Sequence, residues 1–177
     1  EFEDGLVFVP RGFVPWLSHP FQMLRNGGSL ESGDVLYAQD RGAAGDFAVL
    51  DVYPERTPYR FTYRGEWGPG PRRVTPTLQE LTVRAGASHE LTTTVGAVGR
   101  LSSVRVEVGE EVVARVPEGD GESHTVRWTV RDDTVSYDGA TVDLDGPTEV
   151  AVLVTYTQEG GATLTYRQEV SVDPTDE

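Results

Sequence analysis

Five aspartates in the C-terminal half, Asp132, Asp133, Asp138, Asp143 and Asp145, crowd onto turn-forming stretches of one short segment. Carboxylates on flexible turns suit calcium, which takes roughly six to eight hard oxygen ligands. The Asp143-Leu144-Asp145-Gly146 spacing does not extend into a full EF-hand loop. The candidate metal site is therefore a cluster of sandwich turns, and an acidic surface produces such turns without any metal. Calcium is the sole cofactor these residues suggest; otherwise none is expected. His19, His89 and His124 are too scattered for the short ligand spacings of a zinc site. The chain has no Cys, hence no thiol nucleophile, and no G-x-S-x-G elbow to present a serine. With 29 acidic residues, any one carboxylate pair nominated for glycoside hydrolysis carries no information. No catalytic set is expected.

A second group of residues suggests binding. Glu1 to Pro10 is a short extended segment with Leu6 and Phe8 on one face. Such an arm can complete a sheet in a neighbouring subunit, since an open edge offers unpaired backbone groups and pockets for alternate side chains. That contact would propagate head to tail into a filament; the alternative is pairing within the same chain. Phe2, Leu6 and Phe8 are the candidate arm residues, and Phe13 and Trp16, in a segment broken by Pro15 and Pro20, form a candidate aromatic patch. Trp16 and Trp67 could also make a sugar platform, although aromatics of this size are usually buried.

The elements that must position these residues are strands. Val150 to Tyr156 and Leu164 to Val172 alternate apolar and polar around Gln158-Glu159-Gly160-Gly161, the pattern of a half-buried hairpin. In the second run Leu164, Tyr166, Val170 and Val172 share one face. The same grammar predicts strands over Leu78–Ala85, Glu90–Val95, Ser103–Glu107, Val112–Val116, Ser123–Arg131, Thr134–Tyr137 and Thr141–Leu144. Val126, Trp128 and Val130 should point inward, with Trp128 at the centre of the core. Turns every 8–12 residues over about a hundred residues read as an antiparallel immunoglobulin-like sandwich.

The expected organisation is all-β, with an N-terminal β-rich region at 1–75 and the sandwich at 76–177. Strands are predicted in the first region over Leu6–Val9, Val35–Gln39, Phe47–Val52 and Tyr59–Arg64. Phe47–Val52, apolar on both faces, reads as a central strand, and no helix longer than a turn or two is expected. The Gly- and Pro-rich stretch from Gly65 to Pro76 reads as the hinge between regions.

Composition bounds the habitat. Acidic residues outnumber basic ones 29 to 15, every basic residue is Arg, Lys and Ile are absent, and Asn26 is the sole Asn. This points to a GC-rich genome and fits solubility in high salt, where repulsion between carboxylates is screened within a few ångströms. A halophilic archaeon or a GC-rich actinobacterium would both fit. Nucleic acid is not an expected partner, because phosphate binding needs a basic stripe. The densest such stretch, Arg56 to Arg73, reads as a strand with Tyr59, Phe61 and Tyr63 inward and Arg60, Thr62 and Arg64 outward. No apolar run approaches the ~20 residues that span a bilayer. The start at Glu1 rather than Met reads as a removed signal peptide and export, with a cloning remnant as the alternative.

Two segments carry a resemblance: Gly96-Ala97-Val98-Gly99-Arg100-Leu101-Ser102-Ser103-Val104-Arg105-Val106-Glu107-Val108 and Glu149-Val150-Ala151-Val152-Leu153-Val154-Thr155-Tyr156. Together they resemble the immunoglobulin-like, adhesion-related modules with fibronectin-like topology of haloarchaeal and bacterial surface proteins, over roughly residues 78–172. The resemblance implies an extracellular, non-catalytic module and supplies no functional residues. The leading expectation is thus a non-enzymatic structural or adhesive cell-surface protein that self-associates, as a filament subunit assembling by strand addition. A coat or spike protein of a halophilic virus and a carbohydrate-binding accessory module are the alternatives.

Overall fold

The computed structural model describes residues 4–10, 26, 30, 33–64, 75–116 and 121–174, and strands dominate them. They fall into two compact units, Glu1–Arg84 and Ala85–Glu177.

In the N-terminal unit β1 (Gly5–Val9), β2 (Val35–Gln39), β3 (Thr57–Arg64) and β4 (Thr75–Glu80) form one sheet in the order β2-β1-β3-β4. Strand β1 runs parallel to both β2 and β3, whereas β3 and β4 are antiparallel. Because β2 and β3 point the same way, the chain between them must travel back along the sheet. It does so as a helix, α1 (Ala43–Val52). This corrects the expectation of a central strand over Phe47–Val52 and of no substantial helix. Ala43, Asp46, Val49, Leu50 and Tyr53 recur at helical spacing: Ala43 and Asp46 are buried, and the other three pack against Leu6, Phe8 and Leu36. Val52 is 66% exposed, which no central strand position would be. The topological need for a return path outweighed a short apolar run whose periodicity is ambiguous.

The expected hinge also falls elsewhere. Arg64 lies opposite Thr75 in the β3–β4 ladder, so both ends of that stretch belong to the first unit, while residues 65–74 themselves lie outside the described residues. Residues 75–80 thus extend the N-terminal sheet rather than opening the sandwich, and the division between units comes at Arg84/Ala85.

The C-terminal unit is the antiparallel sandwich. One sheet has the order β10 (Ala140–Asp143), β9 (Thr134–Tyr137), β8 (Ser123–Arg131), β5 (Ser88–Gly96). The other has the order β12 (Thr163–Val172), β11 (Thr148–Thr157), β6 (Arg100–Val108), β7 (Glu111–Arg115). The chain crosses from β5 to β6, back from β7 to β8 and again from β10 to β11, so β5 beside β8 on one sheet faces β6 beside β11 on the other. Immunoglobulin-like folds interleave their strands in this way. Val104, Val106, Val126, Trp128, Val135, Val150, Val152, Val154 and Tyr156 fill the space between the sheets, with Trp128 only 2% exposed. Tyr166 meets Tyr156 edge to face, with ring centroids 6.2 Å apart. The Gly160-Gly161 turn adopts left-handed φ values of 98° and 88°, closing the β11–β12 hairpin where the alternation placed it. Leu164, beside that turn, is 40% exposed, while Tyr166, Val170 and Val172 pack on the core.

Two polar clasps join the sheets at their edges. The Thr93 hydroxyl donates to Gln168 Oε1 at 2.6 Å, from β5 to β12. Arg115 Nε donates to Asp138 Oδ2 at 2.6 Å, from β7 to the β9–β10 turn. Ala151 and Leu153 are buried on the outer face of β11, opposite the core. Their cross-strand neighbours are charged: Glu107 and Glu169 flank Ala151, and Arg105 and Arg167 flank Leu153. Arg167 pairs with Glu107 at 3.1 Å, Glu149 at 3.5 Å and Glu169 at 2.5 Å. Long side chains laid along the sheet cover its apolar atoms while their charged ends stay wet.

Candidate functional site

The group with the most unusual chemistry lies in the N-terminal unit. Asp40 follows β2, and its backbone N–H donates to Val9 O at 2.8 Å, which places it at the carboxyl edge of β1 and β2. Asp46 stands in the first turn of α1. Arg60 sits on β3 opposite Phe8, on the face that α1 covers. Its side chain is 16% exposed, so the expectation of an outward Arg60 is corrected.

These three residues converge. Arg60 Nη2 lies 3.6 Å from Asp46 Oδ2, and its Nε lies 3.7 Å from Asp40 Oδ2. Each carboxylate also braces the start of the helix: Asp46 Oδ1 accepts from Arg41 N at 3.1 Å, and Asp40 Oδ1 accepts from Gly42 N at 3.0 Å. Glycine at the cap position supplies no side chain for this task, so the aspartates on either side supply it. Asp46 Oδ2 accepts no hydrogen bond.

Burial pushes the Asp46 carboxyl up from 3.8 to about 6, against the lowering effect of the Arg41 N–H. The Asp40 charge raises it further and Arg60 lowers it, the smaller effects. A carboxyl in this range gains and loses its proton near neutral pH, as a general acid or base must. Carboxyl edges of parallel strands are also where open α/β sheets place ligands. The hydrogen bonds of Asp40 and Asp46 nonetheless go to the backbone at the start of α1, and their pairs with Arg60 tie that helix end to β3. None of the sequence-based expectations included this group. The signal was Asp40-Arg41-Gly42-Ala43-Ala44-Gly45-Asp46, small residues framed by helix-capping aspartates.

The five turn aspartates do not converge. Asp132 and Asp133 lie in the β8–β9 turn, and Asp143 and Asp145 flank the far end of β10. Asp143 sits opposite Thr134, which brings those four to one end of the sheet. Asp138 lies at the opposite end of the same hairpin and is engaged by Arg115. Among the described residues no three acidic or histidine side chains are placed to hold a metal ion. His89 and His124 lie at opposite ends of the β5–β8 ladder.

Leu6 and Phe8 of the candidate arm are 1% and 0% exposed, on a strand hydrogen-bonded on both sides within its own sheet. The pairing inside the chain is therefore the one present. Phe2, Phe13, Trp16, Trp67 and His19 lie outside the described residues. Of the basic stretch, Arg56 donates to Gly33 O at 2.9 Å and reaches the Gly5 carbonyl at 3.4 Å, tying down the strand starts at the other edge of the sheet.

A profile described as a domain of unknown function, DUF7846, matches residues 5–170. The chain belongs to that family. The match runs through both units, so a DUF7846 domain comprises the helix-bearing sheet together with the sandwich. No curated protein and no solved structure matches the chain. No helix among the described residues is long and apolar enough to cross a membrane.

Proposed function

We propose that this DUF7846 domain is a non-enzymatic structural or adhesive module displayed outside the cell. The observation that carries the reading is the outer face of the β7-β6-β11-β12 sheet. There one arginine is shared among three carboxylates over buried Ala151 and Leu153. A planar guanidinium can serve several carboxylates at once, which the point charge of a lysine does less well. A face finished in this way covers its own apolar atoms and stays wet without a protein over it. The net charge of −14 supports exposure to a saline medium, where repulsion between acidic surfaces is screened.

The test is protease accessibility on intact cells that make the protein. Cleavage by an externally added protease, without lysis, is the expected result. Resistance until the cells are broken would overturn the proposal.

A further inference from the structure

Strand β7 is an edge of its sheet, hydrogen-bonded to β6 and to no other strand among the described residues. The ladder beside it decides which of its backbone groups point outward. Gly109 N donates to Glu149 O, so the odd-numbered residues at this end of β11 turn their backbone groups toward β6. Ala151 is thus bonded to Glu107, and Val106 and Val108 turn the other way, to Val113 and Glu111. The two-residue turn Gly109-Glu110, closed by Val108 and Glu111, requires the same phase. Val112 and Ala114 therefore aim their N–H and C=O groups away from the sheet. The Ala114 carbonyl accepts from Arg115 Nη1 at 2.9 Å and keeps a second lone pair.

The side chains along this edge differ from those on the other edges of the sandwich. Val112-Val113-Ala114 is uncharged; Val112 is 54% exposed, and Val116, just past the strand, is 74% exposed. By contrast β12 carries Arg167 and Glu169, β5 carries Glu90, and β10 ends on Asp143. Charged side chains along an edge discourage strand addition. On β7 the charges, Glu111 and Arg115, stand only at the two ends.

Those charges select the partner. Glu111 and Arg115 flank Val113 on one face of the strand, since residues two apart share a face. In a second β7 laid antiparallel about Val113, Glu111 of each copy lies opposite Arg115 of the other, and Val112 lies opposite Ala114. The phase fits as well. Val113, bonded to β6, falls on the axis as a non-hydrogen-bonded pair, and the outward groups of Val112 and Ala114 meet as hydrogen-bonded pairs on either side. A parallel copy in register would instead set Glu111 beside Glu111 and Arg115 beside Arg115. Arg115 already serves Asp138 through Nε, and a guanidinium can hold more than one carboxylate. Exposed pairs of this kind add little affinity and fix the register.

We propose that two copies of this chain associate through β7, continuing one sheet across a two-fold axis at Val113. The pairing does not depend on where the protein is displayed. The experiment follows the full chain by sedimentation velocity and amide hydrogen exchange as its concentration is raised. The parent should pass from monomer to dimer, and exchange at the Val112 and Ala114 amides should slow with it, the Val113 amide, already bonded to β6, serving as reference. Ala114→Pro removes an outward donor at an edge position that tolerates proline, and should abolish the dimer. Val112→Lys places a charge at an exposed site without touching an internal hydrogen bond, and should weaken the dimer about tenfold or more. Glu111→Arg and Arg115→Glu should each weaken it several-fold alone and restore it when mixed in equal amounts, which a foreign strand at this edge would not produce. Unchanged far-ultraviolet circular dichroism in each variant separates lost pairing from lost folding. A parent that stays monomeric, a dimer that survives Ala114→Pro, or concentration-dependent protection at β5, β10 or β12 in place of β7 would each overturn the proposal.

Discussion

Replacing Asp46 by Asn isolates the free energy held in the buried carboxyl. Folding raises the pKa of Asp46 from 3.8 to about 6, mainly through burial. At about 1.4 kcal/mol per pKa unit, the charged form costs the folded state about 3 kcal/mol relative to the protonated form. The sign follows from linkage: the folded state binds the proton more tightly than the unfolded chain. The contribution of the protonated group is fully present below pH ~4 and is lost as pH rises through about 6. An asparagine at position 46 keeps the acceptor for Arg41 N and stays neutral throughout. D46N should therefore match the parent near pH 4 and exceed it by up to about 3 kcal/mol at pH 8, a figure that already includes the attraction of the charged form to Arg60. The assay is urea unfolding followed through the helical circular-dichroism band, which reports on the N-terminal unit through α1. The quantity of interest is the difference between variant and parent as pH varies, in which other titrating groups cancel. If that difference does not change with pH, or favours the parent increasingly as pH rises, then attraction to Arg60 outweighs the cost of burial and the linkage drawn from it fails.

Tyr156 Oη is buried without a hydrogen-bond partner, and burial raises its pKa. Tyr156→Phe should leave stability unchanged or raise it by about 1 kcal/mol, because the desolvated hydroxyl is removed and the ring stays; denaturant unfolding of the sandwich checks this. Arg167→Ala should destabilise the sandwich by about 1–2 kcal/mol at low salt, by breaking several exposed pairs and uncovering Ala151, and the loss should shrink in molar salt. Arg167→Lys should recover only part of it. Asp138 holds a left-handed φ of 48° before Gly139 and also clasps Arg115. Asp138→Asn should cost no more than about 1 kcal/mol because asparagine tolerates that backbone, whereas Asp138→Val should cost more; thermal unfolding of the two side by side distinguishes turn from clasp.

How far the residues alone disclosed the fold follows from where local periodicity decides structure. In the sandwich each strand buries one face against the opposite sheet, so alternation in Ser123–Arg131 directly named Val126, Trp128 and Val130 as core. In the N-terminal unit β1 is buried on both faces, with Leu6, Val7 and Phe8 all covered, and alternation says little about such a strand. Phe47–Val52 misled for a related reason: a short apolar run fits a buried strand or a helix, and the parallel direction of β3 relative to β2 is a tertiary fact. The pairing of Asp40, Asp46 and Arg60 was hidden likewise, because Arg60 reaches the aspartates only once β3 crosses to the far side of β1. Acidic turns, by contrast, were plain in the sequence, but sequence nearness of Asp138 to Asp132 concealed their placement at opposite ends of a hairpin.

Strand β1 is the spine of its own sheet, in a chain of two separately cored units. Removing residues 1–9 from the full chain and following amide exchange across both units probes that role without an intermediary. Protection in β2, β3 and α1 should collapse along with the helical circular-dichroism band, while the amides of β6, β8 and β11 stay protected. Full protection of the N-terminal unit, accompanied by the disappearance of higher assemblies, would deny β1 that role and restore the segment as an arm that serves a neighbour.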